Sequence, residues 1–118
     1  MSNIPNVHAE IAEAILEHAE AITRLDADGM GEAAYDAAVA SHVAAMRLLA
    51  VPHMDPQPDR KLVRELRSLS GNIPGVYVQL ADGSIQLIVD AAGRQHRIKL
   101  WNRQQLLKNE EDDDFGGE

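Results

Sequence analysis

The segment from Val76 to Trp101 alternates apolar and polar residues and is interrupted twice by turn residues. The first turn, Asp82-Gly83, favours a two-residue hairpin, and a second turn falls near Ala92-Gly93. These turns bring almost exclusively apolar residues opposite each other on one face: Leu80 with Ile85, Val78 with Leu87, Val76 with Val89, Val89 with His96, Leu87 with Ile98 and Ile85 with Leu100. A shift of one residue would turn all of them to the other face. The sequence therefore predicts a three-stranded antiparallel β-meander over 76–101.

The first half of the chain has helical spacing instead. In the first predicted helix, apolar residues and one histidine recur every three or four positions: Ile11, Ile15, His18, Ile22 and Leu25. A second helix is predicted from about Glu32 to Val51, where Pro52 ends it. Apolar residues lie on two of its sides, so it should pack on the first helix and also on the sheet or a second copy of the chain. We therefore expect an alanine-rich helical hairpin over 5–51 and a homodimer.

The remaining segments complete a single α+β domain over 1–108, the size expected of one compact unit. Three prolines are expected to exclude regular structure and make 52–58 a linker, and a short third helix is predicted over 59–70. A last short helix is predicted over 102–109, with Asn102 as its cap. Residues 110–118 hold six acids and no base, which predicts a disordered acidic tail.

The acidic run of this tail, Glu110 to Asp114, is followed by Phe115. In this it resembles the tails of single-stranded-DNA-binding proteins, and the resemblance implies docking into a basic pocket of a partner. The sequence departs from that pattern because Gly116, Gly117 and Glu118 follow the phenylalanine, so its carboxylate is not the free terminus. A solubilising tail, or a tail that folds back on the basic residues 57–108, is equally compatible with the composition.

Several classes of protein are disfavoured by composition and motifs. The chain has no cysteine, no apolar run long enough to span a membrane and no secretory signal, so we expect a cytoplasmic protein without membrane contact. No phosphate-binding loop, nucleophile elbow or zinc-protease motif is present, which predicts a protein that is not an enzyme and needs no cofactor. Asp26-Ala-Asp28-Gly29 resembles the start of a calcium loop, but Ala37 occupies the position of the bidentate glutamate, so a plain helix-capping turn is expected here.

The five histidines, at positions 8, 18, 42, 53 and 96, share no metal-ligand spacing, and no metal site is predicted. We expect them to pack in the core or at an interface. A pH-sensitive contact between two copies is the alternative for them.

Charge is distributed in three blocks along the chain. Residues 1–56 carry nine acids and two bases, residues 57–108 carry four acids and nine bases, and residues 109–118 carry six acids, so −7, +5 and −6 sum to the net charge of −8. Such alternation predicts either internal pairing or separate surfaces for different partners.

On the first helix the acids form one row, the acidic stripe, at spacings of three, four and three: Glu10, Glu13, Glu17 and Glu20. Like charges at these spacings repel one another. Three interpretations are open: a solvated face, pairing with Arg60, Arg64 and Arg67, or a surface that imitates a nucleic-acid backbone and docks on a basic partner.

The other candidate surface is the polar face of the meander, on which we place Tyr77, Ile88, Arg97, Lys99 and Trp101. The aromatic rings could stack on bases while the cations meet phosphates, and Arg60, Arg64 and Arg67 would add charge. A protein-docking patch centred on Ile88 and Trp101, or a solvated face covered by the tail or a subunit, is also compatible with the pattern.

The preferred function is a non-enzymatic macromolecule-binding protein, a small acidic inhibitor or adaptor of the phage or mobile-element type. It would act as a nucleic-acid mimic on a basic partner protein that handles nucleic acid. The alternative is a regulator that binds nucleic acid through the basic block of residues 57–108 and the polar, outer face of the sheet.

Overall fold

In the computed structural model, residues 6–54, 57–81 and 84–101 are described. Helices come first and a sheet follows: α1 Val7–Thr23, α2 Ala27–Met30, α3 Glu32–Ala50, α4 Arg60–Ser70, β1 Val76–Ala81, β2 Ser84–Ala91 and β3 Arg94–Trp101. This confirms the predicted α+β class with its three-stranded antiparallel sheet. The predicted helix over 102–109 and the acidic tail lie outside the described residues.

Helix α1 is buried on a wider face than its predicted seam. Asn6 caps its start by accepting a hydrogen bond from the Ala9 N–H, at 3.1 Å. Ile15 and Ile22 are buried as the spacing predicts, and three further residues join them: Ala12, Leu16 and Ala19. The wider burial follows from packing against both α3 and α4.

Between α1 and α3 the sequence forms a one-turn helix, α2, instead of a plain turn. The Asp26 side chain caps it by accepting from the Gly29 N–H, at 3.1 Å. Gly31 then takes a φ of 87°, a conformation that glycine adopts without the penalty of a β-carbon. The chain can therefore reverse direction into α3.

Helix α3 is buried mainly on one of its two apolar sides. Met46 and Ala50 belong to the core on the side that packs against α1, and Tyr35 is buried toward β3. The opposite side is exposed, including Ala37 and Leu48. The sheet therefore does not cover this second side among the described residues, and the predicted packing on a second copy stays a prediction.

The predicted linker contains one short regular element. Val51–His53 forms a 3-10 turn with Pro52 inside it, although we expected the prolines to exclude regular structure. Proline fits here because the first residues of a helix need no N–H partner. Asp59 then caps α4, which starts at Arg60.

The register of β1 with β2 is as predicted: Val76 lies opposite Val89, Val78 opposite Leu87 and Leu80 opposite Ile85. Between β2 and β3, Val89 faces His96 and Leu87 faces Ile98, also as predicted. The predicted pair of Ile85 with Leu100 is wrong, because a β-bulge next to Ile85 shifts the register and brings Trp101 opposite it. Leu100 remains buried and Trp101 packs against the core.

The core lies between the inner face of the sheet and the helices. It joins residues from α1, α3 and α4 to those of the strands, with Ile15, Leu62, Leu66 and Leu87 among its fully buried members. The outward sides of α1, α3 and α4 and the outer face of the sheet are the surfaces on which a partner could bind.

Candidate functional site

The acidic stripe lies on the solvent side of α1. Glu10, Glu13 and Glu17 are exposed, and none of them forms an ion pair with any residue that the structure describes. Glu20 is partly covered and accepts from the Arg24 guanidinium at 2.9 Å. Three adjacent carboxylates therefore repel one another without a cation beside them.

The bases of α4 do not neutralise the stripe, although α1 and α4 pack together. The basic stripe of α4 is exposed and also has no ion pair within the described residues: Arg60, Lys61, Arg64 and Arg67. The two helices are in contact through buried apolar residues, and no ion pair joins the two stripes among the described residues. Pairing of the glutamates with these arginines, one of the three interpretations, is thus not observed.

The polar contacts that do join α1 and α4 lie at the N-terminal end of α1. His8 Nε2 lies 2.8 Å from Asp59 Oδ2, and Asn6 donates to Glu65 Oε2 at 3.3 Å. The pKa of Asp59 is below its ordinary value, because its carboxylate accepts from the Lys61 N–H and, to a lesser degree, because His8 is beside it. This cluster fixes how the two helices meet and leaves the outward faces unchanged.

The outer face of the sheet differs from its prediction in two residues. Trp101 packs against the core because of the bulge, so it is not available for stacking on this face. Ile88 lies on the outer face but is only 1% exposed, since its cross-strand neighbours are Tyr77 and Arg97. A patch centred on Ile88 and Trp101 therefore has almost no apolar surface to offer.

What remains on this face is a polar network around an open groove of about 520 Å³. Arg97 donates to Gln95 at 3.1 Å, and Gln95 donates to the Tyr77 hydroxyl at 3.2 Å. Lys99 is exposed beside them. Because α4 packs on the core side of the sheet, its bases do not share a surface with Arg97 and Lys99.

Histidines lie at contacts between elements, and sequence reasoning did not identify their partners. His18 Nδ1 and His42 Nδ1 are 3.0 Å apart across α1 and α3, and His96 Nε2 is 2.9 Å from the Tyr35 hydroxyl. One ring of the His18–His42 pair must donate and the other must accept. Opposed positions on two predicted antiparallel helices are the only signal that could have suggested this pair.

One further cluster joins the start of α3 to β3. The Arg94 guanidinium lies 5.2 Å from the centre of the Tyr35 ring and pairs with Glu32 at 3.2 Å and Asp36 at 3.3 Å. These two carboxylates of α3 are therefore held by an internal base, in contrast to the acidic stripe of α1.

No cluster of three or more metal-ligating side chains occurs within residues 6–54, 57–81 and 84–101. None of the helices in these ranges is both long enough and apolar enough to cross a membrane. Comparison of the chain with models of known families, with curated proteins and with solved structures gives no match.

Proposed function

We propose that the protein binds a basic partner protein through the acidic stripe of α1 and performs no reaction itself. The observation that supports this most is the exposure of Glu10, Glu13 and Glu17 without an ion pair in the described part of the chain. Four bases on the adjacent α4 could have neutralised them and do not. A row of repelling carboxylates gains free energy when a complementary basic surface covers it.

The spacing of the stripe suggests the kind of surface that it fits. At a rise of about 1.5 Å per residue, spacings of three and four separate successive carboxylates by about 4.5 and 6 Å along the helix axis. Phosphates along one DNA strand are spaced about 3.4 Å apart when measured along the duplex axis, so on the same axial measure the stripe is a sparser row of the same charge. A groove that binds nucleic acid is thus the surface that we expect it to occupy, in the cytoplasm, as a small inhibitor or adaptor of the phage or mobile-element type.

The test is capture of proteins from a nuclease-treated host lysate on the immobilised chain. The wild type should capture basic nucleic-acid-binding proteins, and a short DNA duplex should displace them. The double variant Glu13→Lys with Glu17→Lys should no longer capture these proteins. The matched control is Asp28→Lys with Asp90→Lys, which changes the net charge equally at exposed positions away from α1.

Equal capture by the wild type and both double variants would contradict the proposal. Circular dichroism of each variant establishes that the comparison is made between folded proteins.

A second candidate function is direct binding of nucleic acid through the basic stripe of α4. It is favoured by four exposed bases without an ion pair among the described residues. A labelled single-stranded oligonucleotide distinguishes the two, because a direct binder loses affinity steeply as salt is raised. Binding that disappears in Arg60→Gln with Arg64→Gln, and persists in the Glu13 and Glu17 variant, would support the second candidate over the first.

A further inference from the structure

The outward side of α3, continued by its C-cap residue Val51, carries a row of small and apolar residues at spacings of three, four, three, four and three. All six members are exposed: Ala34, Ala37, Ser41, Ala44, Leu48 and Val51. Leu48 is 75% exposed and Val51 is 55% exposed, more than any other large hydrophobic residue that the structure describes. This is the heptad spacing of a seam along which two helices pack. We refer to the row as the α3 seam.

We propose that the α3 seam binds the same seam of a second copy of the chain, with the two helices antiparallel. A two-fold axis between positions 41 and 44 places Ala34 opposite Val51, Ala37 opposite Leu48 and Ser41 opposite Ala44. Each large side chain then faces a small one, which is how facing helix surfaces interdigitate. In a parallel pair, the large residues would meet at one end and the alanines would be separated at the other.

Charge on the flank of the seam fits the same arrangement. Arg47 is exposed and has no ion pair among the described residues. In the antiparallel pair, Arg47 is level with position 38 of the other helix. The partner subunit's Asp36 is two residues further along that helix, an axial offset of about 3 Å. Asp36 is on the same flank of α3 as Arg47, and its side chain is 61% exposed although Arg94 contacts it. Because the pair has a two-fold axis, this ion pair occurs twice in the dimer.

The size of the contact predicts its strength. A helix of 19 residues is about 28 Å long and about 10 Å wide, so the footprint is roughly 300 Å² on each copy. The total of roughly 600 Å² is below the ~1,200 Å² of a standard stable interface, which places the pair among weak and reversible assemblies. Because the seam itself is uncharged, added salt should weaken the association only through the two exposed ion pairs that flank the seam.

The pairing does not depend on the proposed binding of a basic partner. Helix α1 packs on the side of α3 opposite to the seam, so a pair of copies leaves both acidic stripes uncovered. A monomeric protein could still bind a basic partner, and a dimeric one could fail to do so.

The first test is sedimentation equilibrium of the full chain from micromolar to millimolar concentration. We expect the average mass to rise from the monomer value of 12.9 kDa toward twice that value. Leu48→Glu should raise the dissociation constant at least tenfold, and the control Leu80→Glu, at an exposed apolar position of β1, should leave it unchanged. A wild type that stays monomeric throughout, or equal effects of the two substitutions, would overturn the proposal.

The second test establishes the orientation and uses the absence of cysteine from the chain. Ser41→Cys and Ala44→Cys proteins are mixed and oxidised, and both positions are exposed, so folding should be retained. An antiparallel seam favours the mixed disulfide between positions 41 and 44, whereas a parallel seam favours disulfides between identical positions. Predominance of the identical-position products, or no disulfide above that of a Ser68→Cys control at an exposed position of α4, would contradict the arrangement.

Discussion

Helices α1 and α3 pack against each other, yet their outward faces have opposite character. The outward face of α1 is a row of carboxylates without a neutralising base among the described residues. The outward face of α3 is an uncharged seam that ends in two exposed apolar residues, Leu48 and Val51. The same alanine-rich hairpin therefore supplies two surfaces that would bind by different physical effects.

The difference indicates which partner each surface suits. Attraction to the α1 carboxylates acts over a distance and is screened by salt, so it suits a basic partner that is met by diffusion. Burial of the α3 seam acts only on contact and, apart from the flanking ion pairs, is insensitive to salt, so it suits a surface of matching shape. If this division is correct, both faces can be altered without unfolding the protein, because the stability lies on the inner faces.

The largest effect should come from the inner face of α1. Ile15 is fully buried in the core, and Ile15→Ala should lower the free energy of unfolding by about 2–5 kcal/mol, from lost burial and the cavity that remains. Urea denaturation followed by circular dichroism measures this. The outward substitutions Glu13→Gln and Leu48→Glu serve as controls. If either lowers the free energy of unfolding as much as Ile15→Ala does, the stability does not lie on the inner faces alone.

A smaller loss of stability is expected from a substitution at Asp59, where the start of α4 contacts α1. Asp59→Ala removes the cap of α4 and the contact with His8, so the protein should be less stable than the wild type at neutral pH. The pKa of Asp59 is lowered in the folded protein, so its contribution is present above about pH 3.9 and is lost as the pH falls through the folded value. The stability difference between wild type and variant, measured by thermal denaturation, should therefore shrink below about pH 4. A difference that stayed constant down to pH 2 would show that the carboxylate charge plays no part.

The contact of the Tyr35 hydroxyl with the sheet should contribute about as much stability as one hydrogen bond. Tyr35→Phe removes the hydroxyl that contacts His96 and keeps the buried ring. We expect a loss of about 0.5–1.5 kcal/mol in the free energy of unfolding, with self-association unchanged because the seam is on another side of α3. Altered sedimentation of this variant would indicate that the seam depends on the sheet contact.

The smallest effect, and the one with the opposite sign, should come from the acidic stripe. Glu13→Gln removes repulsion from both Glu10 and Glu17, which should raise the free energy of unfolding by about 0.2–0.5 kcal/mol for each pair at low salt. The gain should diminish as salt is added, because salt already screens the repulsion. Destabilisation by this substitution would mean that Glu13 has a favourable partner in the folded chain.

The parts of the fold that depend on periodicity could be predicted from the sequence. The Asp82-Gly83 turn and the matching parity of Val76, Val78 and Leu80 were enough to define the register of β1 with β2. The bulge could not be predicted, because adjacent apolar residues at 100 and 101 fit either face of a strand until a partner is present. Burial of Ile88 depends on the size of its cross-strand neighbours, which an apolar–polar pattern does not record.

For the candidate site, the row of glutamates on α1 could be predicted, since it depends only on helical spacing. Neutralisation of this row by the bases of α4 could not be predicted, because it depends on the rotation of α4 about its own axis in the packed structure. The contact of His18 with His42 could not be predicted for the same reason, since it depends on the relative rotation of α1 and α3 about their axes.

Separation of the two charged helix faces is tested most directly by a double-mutant cycle for unfolding. One arm replaces Glu13 and Glu17 with glutamine, the other replaces Arg60, Arg64 and Arg67 with glutamine, and the fourth protein carries all five changes. We predict a coupling free energy within about 0.5 kcal/mol of zero, as for sites without shared contacts. A favourable coupling of about 1 kcal/mol or more would show that the arginines neutralise the glutamates inside the molecule, leaving no unpaired charge for a basic partner.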